Sequence, residues 1–237
     1  MKRNSVVRWF FYIAGLLILA FGIILNTKSD LGVSPIISVS YSISTIWNLN
    51  FGNTTFVQYT IFVAIEMLLH VLQNRSQPAK DRFASPHTSK KSLPLILGID
   101  LLQLPLSLVF TRFMNIFSKM IPSPSHGIWP RTVFLVCGII CTGIGAAMSM
   151  NMRIVPNPGD GLVQAIADSI GKPVGITKNC FDLLNICITI SVGLIFAHEL
   201  VGIGVGTVVA VLGVGRVIAL FNHLFMQKMD QAAGVSR

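Results

Sequence analysis

Asn74-Arg75-Ser-Gln-Pro-Ala-Lys80-Asp81-Arg82-Phe-Ala-Ser-Pro-His-Thr-Ser-Lys90-Lys91-Ser92 is the stretch that decides how this chain is threaded. It carries five basic residues against one acid and is rich in Ser and Pro, as a solvated linker is. Long apolar runs flank it on both sides. Because the cytoplasmic loops of membrane proteins collect Lys and Arg, the stretch belongs on the cytoplasmic face.

Outward from this loop, six apolar runs are long enough to cross a hydrocarbon core that needs roughly 17 to 25 helical residues. They cover residues 9–26, 54–73, 93–117, 132–150, 177–196 and 201–225. Two more segments, 34–48 and 158–170, read as helices but are too short to span comfortably. If 34–48 crossed fully, a cytoplasmic N-terminus would put the basic loop outside. A re-entrant or interfacial helix returns it inside, so the expectation is six spans plus two short helices. Thirteen basic residues then fall inside and three, Lys28, Lys119 and Arg131, outside, with Arg112 and Arg216 within spans. That asymmetry places both termini in the cytoplasm and the protein in the cell (plasma) membrane.

Composition agrees with a lipid-embedded chain. Of 237 residues 52% are hydrophobic and only 11% charged, with mean hydropathy +0.70, against about 25% charged in soluble domains. The net charge of +9 sits between apolar runs rather than on one folded face, so no nucleic-acid partner is expected. The basic start before the run at Trp9 lacks a small-residue cleavage site and reads as a retained first helix. The four cysteines lie in apolar segments without C-x-x-C spacing. No metal set, cofactor or nucleotide loop is read, and His198-Glu199 lacks the second His of a zinc-protease motif. An enzyme is therefore not expected.

The two halves match at one constant offset. Gly15 and Gly138, Gly22 and Gly145, Pro35 and Pro158, Gly52 and Gly175, and Thr54 and Thr177 all stand 123 residues apart. Residues 1–118 and 119–237 thus read as two repeats of three spans and one short helix. An odd number of spans per unit inverts the second copy, giving an all-α membrane protein built as an inverted 3+3 repeat.

Site candidates follow from that plan. Ser34 with Pro35, and Asn157 with Pro158, supply an N-cap and a proline at the first helical position of each short helix. If these N-termini dip towards the midplane, their free N–H groups favour an anion or carboxylate, with Gly159 and Gly161 allowing close approach. As surface turns they would do nothing of the kind. The fifth span aligns Lys178, Asp182, Asn185 and Thr189 on one face, the second Thr55, Tyr59, Phe62 and Glu66, and the third Asp100, Gln103, Ser107 and Thr111. Intramembrane acids mark functional sites by default. Interhelical hydrogen bonding polarises helix faces in the same way, and that is the preferred reading for Glu66. Gly202, Gly206 and Ala210 recur every four residues, a helix-packing stripe. The scattered histidines, His70 among them, receive no role.

Gly32-Val-Ser-Pro35, Pro158-Gly-Asp-Gly161 and Gly202-Ile-Gly-Val-Gly-Thr207 together resemble the YczE-like bacterial membrane proteins, grouped with YyaS and YitT relatives. Members tend to carry Trp-Asp after the first-half proline, where this chain has Ile36 and Ile37. The resemblance therefore implies a repeat-related pair of acids of which only Asp160 survives, although Gly-Asp-Gly also suits an Asx turn. The functional expectation is a secondary transporter or facilitator of a small polar or anionic solute, lined by Asp160, Ser34, Asn157, Gly159, Gly161, Asp182, Asn185 and Asp100. The alternative is a membrane accessory or ligand-capture subunit. Its partners are the lipid bilayer and a small-molecule ligand, with a homo-oligomer or a partner membrane protein left open.

Threading is checked by cysteine labelling. Ser85→Cys, on a background with the four native cysteines replaced, is expected to resist an impermeant maleimide in intact cells and to react after permeabilisation. Labelling from the exterior would reverse the orientation.

Overall fold

The computed structural model describes residues 2–76, 92–125 and 127–235. The basic segment 77–91 lies outside the described residues, and so does His126. The regular structure among the described residues is helical, in the order α1 (Lys2–Lys28), α2 (Pro35–Ile46), α3 (Phe51–Ser76), α4 (Leu93–Met120), α5 (Ile128–Asn151), α6 (Pro158–Ile170), α7 (Val174–Val192) and α8 (Val205–Ala233). A π-helical turn, Gly193–Ala197, extends α7. Six of these helices are long and apolar enough to cross a membrane, and α2 is a shorter apolar helix.

The spans begin or end about a turn beyond the hydropathy limits, with one correction. The last span does not start at 201, because residues 201–204 are non-helical. Gly202 takes φ +79, a conformation costly for any residue with a Cβ, and its carbonyl accepts a hydrogen bond from Val33 N at 2.9 Å. Gly206 N in turn donates to Leu31 O at 2.7 Å. Of the expected small-residue stripe, only Gly206 and Ala210 therefore lie on a helix. The segment before α8 is instead backbone clamped to the loop before α2.

Contact registers fix the sense of each helix. Gly15 lies on Gly145 and Gly22 on Thr142, so α1 and α5 are antiparallel. Tyr12 and Leu16 pack with Leu106, and Phe21 meets Phe117, so α1 and α4 run together. Gly52 abuts Asn115 while His70 reaches Asp100, which sets α3 against α4. Gly143 meets Val217 and Asn151 bonds Asn222 further along both helices, so α5 and α8 run together. On α7, Phe181 meets Phe62, and Thr189 reaches Ser38 beside the first turns of α3. The six long helices thus alternate in sense along the chain. It follows that α2 and α6 each return the chain to the side it came from. Gly234 lies against Asn4, so both chain ends share one face.

The short helices reach inward. From Ser44 to Ile36, α2 runs back along α3: Leu49 N donates to Ser44 O, Tyr41 meets Phe51, and Gln58 Nε2 donates to Ile36 O at 2.8 Å. The N-terminus of α2 therefore lies about 10 Å down α3 from Phe51, at 1.5 Å per residue. From the other side, α6 descends beside α3 from Gly161 at Glu66 to Ala165 and Ser169 at Gln73. The two N-termini touch, because Ile36 packs directly on Gly159.

Contacts recur at positions 123 apart. Gly15 on Gly145 is matched by Gly22 near Gly138, and Ser38 bonding Thr189 is matched by Gly161 against Glu66. Arg8 holds the carbonyl of Arg153, and Arg131 pairs with Asp30. The left-handed residues pair in the same way: Asp30 (φ 55) with Arg153 (φ 48), and Asn48 (φ 51) with Gly171 (φ 63).

The α1–α5 approach leaves no room for a side chain. A Cβ at Gly22 would collide with Thr142 N, whereas one at Gly98 meets nothing within 4 Å. Gly22→Leu is expected to cost more than about 2 kcal/mol by forcing the helices apart. Gly98→Ala should change stability by no more than about 1 kcal/mol, in the favourable direction. Thermal unfolding in detergent reads both.

Candidate functional site

The meeting of the α2 and α6 N-termini positions the candidate residues. Pro35, which has no N–H, opens α2 after Ser34, whose side chain makes no cap bond; Ile37 N donates to Ser34 O at 3.2 Å, which leaves the Ile36 N–H at the helix start. Asn157 does cap α6, its Oδ1 accepting from Gly159 N at 3.2 Å. Tyr59, 2% exposed, stacks on Phe110 with ring centroids 6.3 Å apart. Gln58 locks α2 in place, since its Oε1 also accepts from Ser40 N at 3.1 Å.

Asp160 lies on the first turn of α6, where a carboxylate complements the helix dipole. Lys178 Nζ pairs with its Oδ1 at 3.1 Å, and Asp182 follows one turn on along α7. These three form a charged group on one flank of the meeting point. Asn185 turns to its own helix, donating to Phe181 O at 2.8 Å, and Thr189 bonds both Asn185 O and Ser38. The polar stripe of α7 is thus largely satisfied within the protein.

Asp100 joins a different group. It is 3% exposed and its Oδ2 accepts from His70 Nδ1 at 2.8 Å, with the ring proton assigned to Nδ1. Beside it Glu66, also 3% exposed, accepts from Gln103 Nε2 at 3.0 Å, and its two carboxylate oxygens crowd Gly161. A Cβ on Gly161 would meet both at 2.7 Å. Glu66, His70 and Gln103 were not among the expected site residues. The available signal was the four-residue step from Glu66 to His70 on the polar face of α3, opposite the Asp100 to Gln103 step on α4. What the sequence lacked was the register that brings the steps together.

A cavity of about 380 Å³ opens at the end of the bundle away from the chain termini. Its lining includes Lys28, Asp30, Tyr41, Ser44, Ser118 and Arg131. The volume suits a small molecule. Arg131 engages Asp30 at 3.3 Å, leaving Lys28 as a second cation on the wall. Burial, and then the nearby Asp30 carboxylate, push the Tyr41 phenol above its ordinary value, so it stays a neutral hydrogen-bond donor. Below Ser44 on the cavity wall, the buried serines of α2 face opposite ways, Ser38 bonding Thr189 of α7 at 2.7 Å and Ser40 bonding Thr55 of α3 at 3.2 Å. At the opposite end, Arg8 donates to Met152 O at 2.7 Å and Arg153 O at 2.8 Å, and Tyr12 donates to Val155 O at 3.0 Å.

Comparison with known proteins agrees with the sequence resemblance. The DUF6198 family, described as a family of unknown function, matches residues 6–84 and 89–223. A Bacillus subtilis (strain 168) protein described as the uncharacterized membrane protein YczE is 27% identical over 98% of this chain and 93% of its own length. An uncharacterized Haemophilus influenzae protein is 24% identical over 55% of this chain and 56% of its own. No solved structure matches. With six candidate spans and these relatives, the chain is a multi-pass membrane protein.

Crowding at Gly161 gives a check on the packing. Gly161→Ala is expected to cost about 1–3 kcal/mol in wild-type background, as small-to-large changes do in packed sites. In a Glu66→Ala background the cost should fall near zero, and unfolding of the four variants of the cycle measures the difference.

Proposed function

We propose that this chain, which belongs to the DUF6198 family, is a secondary transporter or facilitator of a small polar or anionic solute, built as an inverted 3+3 repeat in the cell membrane with both termini cytoplasmic. The observation that carries the reading is the contact of Ile36 with Gly159, which joins the N-termini of two short helices inside the bundle. Discontinuous helices that meet between inverted repeats form the substrate sites of many secondary transporters. Support for the inversion comes from the antiparallel α1 and α5 and from the paired contacts 123 residues apart. A self-complementary contact of this kind, i on j′ and j on i′, is what a two-fold relation produces.

The proposed path starts in the 380 Å³ cavity, where Lys28 and Arg131 attract an anion and the hydroxyls of Tyr41 and Ser44 orient it. It continues past α2 to the Ile36 N–H behind Ser34 and then to Asn157, Gly159 and Asp160. At the far end the Arg8 and Tyr12 bonds close the route to the face bearing the chain ends. One open and one closed end is the arrangement alternating access requires. Exchange of the two states would break the Arg8 clasp and draw Arg131 over the cavity.

A thermal-shift panel of small carboxylates, phosphates, sulfonates and neutral polyols on the purified protein is the first test, because a ligand of the folded state raises the melting temperature. A hit is then measured as uptake of the labelled compound into proteoliposomes. Lys28→Ala with Arg131→Ala is expected to weaken the shift about tenfold or more in concentration, and Asp160→Asn to slow uptake. Binding without flux in wild-type liposomes would refute transport.

A further inference from the structure

The buried group at the α3–α4 contact has a chemistry that the transport path does not use. Glu66 and His70 stand one turn apart on α3, and Asp100 faces them from α4. One ligand atom from each can be chosen so that all three lie within 4.8 Å of one another. Both carboxylates are 3% exposed. The charges acting on Glu66 are those of Asp100 and His70, and on His70 those of Asp100, Glu66 and Asp168. With both carboxylates ionised the group would carry an excess of negative charge even with His70 protonated, and uncompensated buried charge is strongly unfavourable.

Gln103 adds a separate observation. It is 0% exposed, and its Nε2 is fixed on Glu66, yet its Oε1 is buried without a hydrogen-bond partner. Amide geometry keeps that oxygen within roughly 5 Å of the Glu66 carboxylate. An acceptor left bare beside two acids has no use for another anion. It suits a cation.

We propose that Glu66, His70 and Asp100, with Gln103 Oε1 beside them, bind a divalent first-row transition-metal ion of the class taken by mixed nitrogen and oxygen ligands, with Mn²⁺ and Zn²⁺ as representatives. Two carboxylates and one imidazole match that class, where thiolate-preferring ions would not settle. Inward-pointing carboxylates and imidazoles on facing helices are how bundles hold such ions. Bonds of 2.0–2.2 Å need ligand atoms roughly 3.4 Å apart, so rotations of about 1 Å by these side chains would close the site. The His70–Asp100 hydrogen bond gives way to shared ligation. His70, with its side chain 18% exposed, is the way in, from the face that carries the chain ends. No sequence motif signals the set, because its ligands come from two helices whose register only the fold supplies.

The test uses the full chain in mild detergent, stripped with chelator, equilibrated with MnCl₂ or ZnCl₂ and passed through gel filtration before elemental analysis. About one ion per chain is expected to stay bound, as for a single three- or four-ligand site. Glu66→Gln, His70→Gln and Asp100→Asn should each weaken retention by about a hundredfold, and Gln103→Leu by roughly tenfold, the size of outer-ligand effects. Glu199→Gln, on an exposed turn, should leave it unchanged. Should the variants fail to fold, wild-type protein loaded with Co²⁺ serves instead: a shifted imidazole proton and visible absorption support the site. Monodisperse wild-type protein that retains neither ion would overturn the proposal, as would equal retention by the ligand variants or Co²⁺ protein without a shifted imidazole. Because binding is read without flux, either result leaves the transport reading to its own assay.

Discussion

Everything in this bundle is arranged around the closeness of α1 and α5. Water cannot drive helices together within lipid, so van der Waals contact and hydrogen bonding must do it. Gly15, Gly22, Gly138 and Gly145 put backbone against backbone, and the rows of apolar side chains on either flank, Leu19, Ile23 and Ile24 among them, close over the seam. With that pair fixed, α4 runs beside α1 and α8 beside α5, and the short helices fill the space between the remaining spans. The N-termini on which the proposed site depends are held independently of that pair, since α2 and α6 both pack against α3 and α7.

Much of the plan was legible in the residues. Hydropathy located all six long helices because each must bury nearly its whole circumference in lipid or protein. The boundaries of α6 were legible because Asn157, Pro158 and Gly171 start and stop the helix by local chemistry alone. Where the reading fell short, long-range geometry was the missing element. Nothing in Val201-Gly-Ile-Gly204 distinguishes a first helical turn from an extended clamp until Val33 and Leu31 are placed beside it. Likewise Asp100 was recognised as an acid at membrane depth, but its partners His70 and Glu66 depended on the register of α3 against α4.

The candidate site shows the same division. Asp160 and Asn157 sit where the Pro-Gly-Asp-Gly pattern implied, on the first turn and at the cap of α6. Ser34 is present but caps nothing through its side chain, and Asn185 spends its amide on its own helix. The cavity at the far end was invisible to a linear reading, since its wall draws on the end of α1, the end of α2, the end of α4 and the start of α5. Such a surface exists only once residues 27–51, which reach the start of α3, and residues 118–131 are brought to one level.

The two arginine clasps, Arg8 and Arg131, differ in what they grip. Arg8 holds main-chain carbonyls, which carry no net charge, while Arg131 holds the carboxylate of Asp30 across an exposed gap. Dissolved ions screen the second bond far more than the first, over a Debye length of about 8 Å at physiological strength. Salt therefore weakens the Arg131–Asp30 pair while leaving the Arg8 bonds largely unchanged, so ionic strength acts unequally on the two ends of the bundle.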